Sequence, residues 1–263
     1  MRPAARARSL LPALALVAAL TAAACGSATT QPAVPSEVIE TADALSRAVT
    51  ITAPYSTTPA ADDEHGPIAL SGRVFGHGAT GVILAHMRPA DQTAWFPFAT
   101  KLAATNAYTV LTFDFRGFGE SEGDKDFDHV DTDLIAAYDY MRHQLGISRI
   151  YLVGASMGGT ASIVVGARLP VAGVVSISSP AQFQSMDALA AVPDLRAPKL
   201  FVSSADDVPA ARSQEELWAA SSDPKEMHTY AGDAHGTNIL QSEAGPDLEQ
   251  RIIAFLATDT AAR

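Results

Sequence analysis

The chain has 263 residues, 48% of them apolar, and a formal net charge of −11. That length suits one α/β domain with extensions and not two large domains, and the apolar share is ample for a core. So acidic a chain is a poor partner for nucleic acid and is not drawn to anionic lipid by charge. With Cys25 as the only cysteine, no intramolecular disulfide can form.

Arg2, Arg6 and Arg8 precede an apolar run from Leu10 to Leu20 and the small residues Thr21-Ala22-Ala23-Ala24. This is the pattern of an export signal over residues 1–24. It is too short for a spanning helix, which needs about 20 apolar residues. Cys25 follows at once, ahead of Gly26-Ser27, and the junction resembles the lipobox of bacterial lipoproteins, with Ala22 where that pattern prefers leucine. The resemblance implies cleavage before Cys25, a diacylglyceryl anchor on its sulfur, and an extracytoplasmic protein held at the bacterial cell membrane. The alternative is an ordinary Ala22-x-Ala24 signal and release into the medium. Removing a leader that holds three of the 18 basic residues and no acid takes the net charge from −11 to −14, so attachment would come from the acyl chains. Residues 25–48 read as anchor site and tether, Gly26 to Ser36 being Ala, Thr, Gln and Pro without periodicity, with a short helix over Glu37 to Arg47. Residues 49–263 read as the folded domain.

Val49 to Ala53 and Ile68 to Phe75 are the first expected strands, joined by the Pro-, Asp- and Gly-containing stretch 59–67. The segment Gly76-His77-Gly78-Ala79-Thr80-Gly81 matches Gly-x-Gly-x-x-Gly, but it leads into the strand Val82 to His86 and not into a helix. A dinucleotide fingerprint must open a helix, so these glycines are read as a hairpin turn. A helix is expected over Trp95 to Ala104, a strand over Tyr108 to Phe113, and a helix over Asp128 to Leu145 with Val130, Leu134, Tyr138, Met141 and Leu145 on one stripe. Asp124-x-Asp126-x-Asp128 fails as a calcium loop, because His129 stands where glycine is needed and Ile135 where the bidentate glutamate is needed; it reads as a solvated acidic cap. Further strands are expected at Val171 to Ile177, Lys199 to Ser203 and Lys225 to Tyr230, and helices at Ala210 to Ser221 and Asp247 to Leu256. Strand, helix and strand in succession argue a parallel sheet with right-handed crossovers.

The chemistry centres on Ile150-Tyr151-Leu152-Val153-Gly154-Ala155-Ser156-Met157-Gly158-Gly159. A short apolar strand, a tight turn with one serine and a helix running to Arg168-Leu169-Pro170 give Gly-x-Ser-x-Gly the setting it requires, a strained turn that presents the serine oxygen above the sheet edge. A serine hydroxyl needs a base to take its proton and a carboxylate to orient that base. Only His228 and His235 follow Ser156. His228 falls inside the strand Lys225 to Tyr230, committed to a sheet face, whereas His235 lies in the loop Ala231 to Gly236 just beyond it. The strand Leu200 to Val202 ends in Ser203-Ser204-Ala205-Asp206-Asp207, which offers two carboxylates at the same edge.

These residues together resemble the α/β-hydrolase superfamily, esterase-like and dienelactone-hydrolase-like, from about Val49 to the C-terminal helix. Besides the serine turn, the resemblance rests on Leu84-Ala85-His86, on Asp114-Phe115-Arg116-Gly117-Phe118-Gly119-Glu120-Ser121, and on Ala234-His235-Gly236. It implies a three-layer α/β fold with a mostly parallel central sheet, helices on both faces and minimal or no cap. It implies Ser156, Asp206 and His235 as catalytic residues, Asp206 occupying the family's place after the strand and Asp207 remaining the alternative. It also implies an oxyanion hole from the backbone amides of Met87 and Met157, with methionine where many members have His-Gly. His86 is expected to prop that loop, and the Asp114 block to be structural. No metal or cofactor is implied.

The expected function is hydrolysis of a carboxylic ester or thioester of a small or compact acyl group through an acyl-enzyme, on a small-molecule substrate. An amidase or peptidase on the same fold, or an inactive surface lipoprotein, are the alternatives. The interval Ser178 to Lys199, with Pro180, Pro193 and Pro198, has room for one short helix such as Ser185 to Leu189 and not for a closing lid. A shallow pocket walled by Met87, Met157 and Phe183 is therefore expected.

Overall fold

The computed structural model describes residues 33–55 and 66–258. The expected signal, Cys25, most of the tether and most of the first turn lie outside these residues.

Among the described residues, ten strands and seven α-helices follow one another: α1 (Ser36–Leu45), β1 (Ser46–Ala53), β2 (Ile68–Gly76), β3 (Thr80–Ala85), α2 (Phe96–Ala104), β4 (Tyr108–Phe113), α3 (Val130–Asp139), β5 (Arg149–Ala155), α4 (Met157–Arg168), β6 (Gly173–Ile177), β7 (Gln182–Phe183), β8 (Met186–Asp187), α5 (Ala188–Ala191), β9 (Lys199–Ser204), α6 (Val208–Ala220), β10 (Lys225–Tyr230) and α7 (Gly245–Ala257). Eight strands form the main sheet in the order β1-β2-β4-β3-β5-β6-β9-β10. β2 pairs antiparallel with both β1 and β4, and the rest of the ladder is parallel.

The strand pattern explains the three layers. Along β3, Val82 and Leu84 face one core and Ile83 and Ala85 the other; along β5, Tyr151 and Val153 alternate with Ile150 and Leu152 in the same way. A parallel strand covered on both faces is apolar at every position, and β4 is buried throughout. α1, α2 and α7 supply Ala42, Phe98, Leu102, Leu248, Ile252 and Leu256 to one face. α3 with the widened turn 140–144 after it, α4 and α6 supply Leu134, Met141, Ile163, Val165 and Leu217 to the other. The compact part therefore begins with α1, whose Ala42 is fully buried, ahead of the expected boundary at Val49.

Two expectations about local structure are corrected. The stretch 76–81 is not a hairpin turn, because β2 and β3 are not neighbours: β4 lies between them. The link passes beneath the start of β4, with the amides of Gly78 and Thr80 donating to Tyr108 O (3.1 Å) and Ala107 O (3.4 Å). A β-carbon on Gly78 would overlap the Ala107 backbone, so the glycine answers to close passage under a strand and not to turn geometry. The interval after β6 carries a two-residue β7–β8 ribbon over 182–187, with the four-residue helix α5 after it and not at Ser185 to Leu189. No element of that interval is long enough to form a lid.

β3 sits at the switch in this order. The chain leaves it for β4 on one side through α2, then returns past it to β5 on the other through α3. Loops following β3 and β5 diverge at such a point, which opens a crevice beyond the carboxyl ends of the strands.

Candidate active site

Ser156 occupies the crevice between β5 and α4 with φ 49° and ψ −117°. A residue with a β-carbon holds positive φ only where its surroundings impose it, at about 1–3 kcal/mol. Here the imposition is visible on both sides of the turn. The Ser156 amide donates to Ile177 O at 2.8 Å, and Ser156 O accepts from the amides of Gly159 (2.9 Å) and Thr160 (3.0 Å). A β-carbon on Gly154 would overlap the Gly158 carbonyl, and one on Gly158 would overlap the carbonyls of Ala85 and His86. Both glycines are thus required by backbone contact, and through Gly158 the serine turn is pressed against the end of β3.

His235 follows β10 and accompanies Ser156 in the wall of a cleft of about 430 Å³. Its Nδ1 lies 2.6 Å from Asp207 Oδ2, so Nδ1–H donates to the carboxylate and Nε2 is the nitrogen left for the cleft. The partner is Asp207, not Asp206. The β9–β10 ladder ends at the Ser204–Tyr230 pair, and the turn that follows is held by Ala205 N donating to Tyr230 O (2.8 Å) and Asp206 N to Gly232 O (2.9 Å). Asp206 thus lies in this turn with its side chain exposed, while Asp207, N-cap of α6, carries its carboxylate to the imidazole. His228, by contrast, packs edge-on to Tyr230 (4.4 Å between ring centroids) and is not in the cleft wall.

Met87 follows β3 and lines the cleft; Met157 opens α4, but its side chain is buried in the α3–α4 core and forms no part of the cleft wall. The expected Met157 wall is thus absent, while Phe183 lines the cleft as expected and Phe118 and Phe127 line it besides. The Met157 amide is at the first position of α4, where helical geometry leaves the N–H without an intrahelical acceptor.

The loop after β3 is held by His86. Its ring is fully buried, Nδ1–H donates to Met87 O at 2.9 Å, and Nε2 accepts from the Phe115 amide at 3.0 Å. Burial lowers its pKa from 6.5 to about 4, so the ring is a neutral strut at ordinary pH. The Asp114 to Ser121 block is also structural. Asp114 accepts from the Gln92 amide (2.8 Å), Gln92 Nε2 (2.9 Å) and the Glu120 amide (3.1 Å). Arg116 forms a buried ion pair with Asp133 at 2.6 Å and donates to Tyr55 O and Pro54 O, which ties β1 to α3. Asp126 is taken up by a local bond to His129 (2.6 Å), and Asp128 by a long-range one from the Ser185 amide (3.1 Å).

Four polar cleft residues had no signal in the sequence: Arg88, Lys125, Asp233 and Asn238. Asn238 lies in the 3-10 turn after His235, and its Oδ1 is buried without a partner. All four come from loops, where no periodicity marks which residue faces a cleft.

A profile of the alpha/beta hydrolase fold matches residues 75–252. Among curated proteins, the uncharacterized protein YfhR of Salmonella typhi is 36% identical over 80 residues, 30% of this chain and 27% of that protein. The lysophosphatidylserine lipase ABHD12 of Danio rerio is 33% identical over 58 residues, 22% of this chain and 15% of that one. The matched stretches thus span under a third of either relative's length. Among solved structures, the Pyrococcus furiosus esterase Pf2001 superposes with a TM-score of 0.66 at 18% identity, covering 86% of this chain and 94% of that one. The enol-lactonase of Burkholderia xenovorans does so with a TM-score of 0.61 at 18% identity, over 73% of this chain and 97% of that one. With the strand order, the serine turn and a profile match over more than half of its length, the chain belongs to the alpha/beta hydrolase fold family.

Proposed function

We propose that this chain is a serine hydrolase that cleaves a carboxylic ester or thioester of a compact acyl group through an acyl-enzyme. The observation that carries the reading is the 2.6 Å bond from His235 Nδ1 to Asp207 in the cleft that also holds Ser156. That bond fixes the tautomer in which Nε2 can accept a proton from the serine hydroxyl. The Ser156 oxygen attacks the acyl carbon while its proton passes to His235 Nε2. The tetrahedral oxyanion is received by the Met87 and Met157 amides, and collapse expels the alcohol or thiol, which takes the proton from His235. Water then attacks the acyl-enzyme by the same route, gives its proton to the imidazole and releases the acid as the serine regains its hydrogen. Asp207 stays ionised throughout and stabilises the imidazolium.

The preference for ester over amide follows from an open site. An amine leaving group needs more complete proton delivery, and among the described residues no element covers the cleft to exclude water and strengthen it. The lipoprotein anchor on Cys25 is part of the same proposal, placing the enzyme outside the cytoplasm at the membrane. Ser156→Ala removes one hydroxyl and should lower kcat by roughly 10³-fold or more without unfolding the protein. A fluorophosphonate probe should label the wild type and not the variant. Hydrolysis that persists in the purified variant would overturn the reading, and absence of labelling in the wild type would favour an inactive protein of this fold.

A further inference from the structure

The cleft is polarised. Arg88 comes from the loop after β3 and Lys125 from the loop after β4, while Asp207 and Asp233 come from the loops after β9 and β10. In the strand order β4-β3-β5-β6-β9-β10, Ser156 at the end of β5 stands between the two groups. The cations therefore line one side of the serine and the acids the other.

The two cations are also placed together. The Arg88 guanidinium lies 5.4 Å from the centroid of Phe127, and Lys125 Nζ lies 4.6 Å from that of Phe118. Those two rings are themselves adjacent, 6.2 Å between centroids. Both cations are exposed, and among the described residues neither forms an ion pair with a carboxylate. An aromatic face orients a cation without neutralising it, unlike a carboxylate. In a chain with 29 acids and 18 bases, two uncompensated cations beside the catalytic serine stand against the general charge.

The mechanism assigns the sides. His235 must protonate the leaving oxygen, so the leaving group faces the Asp207 and Asp233 side. The acyl portion extends away from the histidine, toward β3 and β4. Resting on the serine-hydrolase reading above, we propose that the substrate carries an anionic group on its acyl portion, as in a monoester of a dicarboxylic acid. Arg88 and Lys125 then receive the distal carboxylate while Phe118 and Phe127 cover the methylenes between it and the scissile bond. They are specificity-determining residues that act on binding, not on bond cleavage.

The test compares para-nitrophenyl pentanoate with mono-para-nitrophenyl glutarate, which match in acyl chain length and differ by the terminal carboxylate, each corrected with the Ser156→Ala variant. A third ester, pentanoate of a carboxylated nitrophenol, puts the charge on the leaving group. The glutarate ester should exceed the pentanoate in kcat/KM by about tenfold or more, chiefly through KM. Arg88→Gln and Lys125→Gln should each reduce that ratio by roughly threefold or more, and Arg88→Lys should keep most of it, since a point charge remains. Turnover of the pentanoate with no preference for the glutarate overturns this inference and leaves the serine-hydrolase reading standing. Preference for the charged leaving group, or a glutarate preference that survives loss of both cations, overturns it equally. Failure of all three esters to show Ser156-dependent turnover removes both together.

Discussion

Replacing His86 by Asn tests the strut under the loop after β3 through the pH dependence of stability. The ring is fully buried, gives its Nδ1 proton to Met87 O, takes the Phe115 N–H at Nε2, and lies between the rings of Phe115 and Phe118 at 4.9 and 5.1 Å. A second proton would have to enter at Nε2, against the Phe115 N–H, and leave a charge in an apolar enclosure. Burial is accordingly the dominant cause of its pKa near 4, opposed by the Met87 carbonyl and Asp91. Below pH 6.5 the unfolded chain binds a proton here that the native chain refuses until about pH 4. The stabilisation from the neutral ring is therefore complete above pH 6.5 and is lost as pH falls toward 4. At about 1.4 kcal/mol per pH unit the loss totals about 3 kcal/mol. Burial pushes the carboxyls of Asp114 and Asp133 up, and these act with the opposite sign in the acid range, so a single profile mixes the three. The difference between wild type and His86→Asn isolates the histidine, because asparagine does not titrate. Near neutral pH the variant should be less stable by roughly 2 kcal/mol, the worth of two buried hydrogen bonds partly replaced. That gap should close or invert by about pH 4. Urea unfolding at a series of pH values, followed by the fluorescence of buried Trp95, measures it. Parallel stability curves for the two proteins would refute the account of a neutral, buried strut.

Asp207→Asn should reduce kcat/KM by about 10³-fold or more, while Asp206→Asn should change it by less than about threefold, since only Asp207 meets His235; a larger loss in Asp206→Asn would return the acid assignment to that residue. Across para-nitrophenyl esters of rising neutral acyl length, kcat/KM should peak at short chains, because an open cleft of about 430 Å³ covers few methylenes at about 0.8 kcal/mol each; a maximum at long chains would contradict it. Cys25→Ser should move the protein from the membrane fraction to the soluble one, and continued sedimentation with membranes would show another anchor.

Strands and helices with strong periodicity were legible: β4 falls on the expected Tyr108 to Phe113, and α4 ends at Arg168 as its flanking proline suggests. Ser156 and His235 were legible because each is tied to the end of a strand that its composition marks. Asp207 was less so, since adjacent aspartates are told apart only by the path of the turn after β9, and the bonds that hold that turn use amides that no side chain announces. The 76–81 link was misread because glycine serves both a turn and a close crossing, and only the strand order separates them. The long helix expected at Asp128 to Leu145 begins with a 3-10 turn and widens after Asp139, where Leu145 N reaches back to Tyr140 O at 3.2 Å. Its stripe, with Leu134 and Met141 in the core, is nonetheless the one that the spacing marks.

Strand order also explains why the cleft can combine a strained serine turn with cations that form no ion pair among the described residues. β3 and β5 are parallel neighbours with a buried ladder, and the Gly158 backbone lies against the carbonyls of Ala85 and His86, so the two loops that flank the serine are fixed to one another. His86 then joins the β3 loop to β4 through Phe115, and Arg116 joins β4 to α3 and β1. Each connection is main chain to main chain or runs through a buried side chain, with little freedom to relax the positive φ at Ser156. Arg88 and Lys125 stand at the outer ends of these same loops, where solvent screens them and they add no strain to the turn. Rigidity and charge thus reside in different parts of the loops after β3 and β4, and the tips can vary in specificity without disturbing the frame that holds the serine.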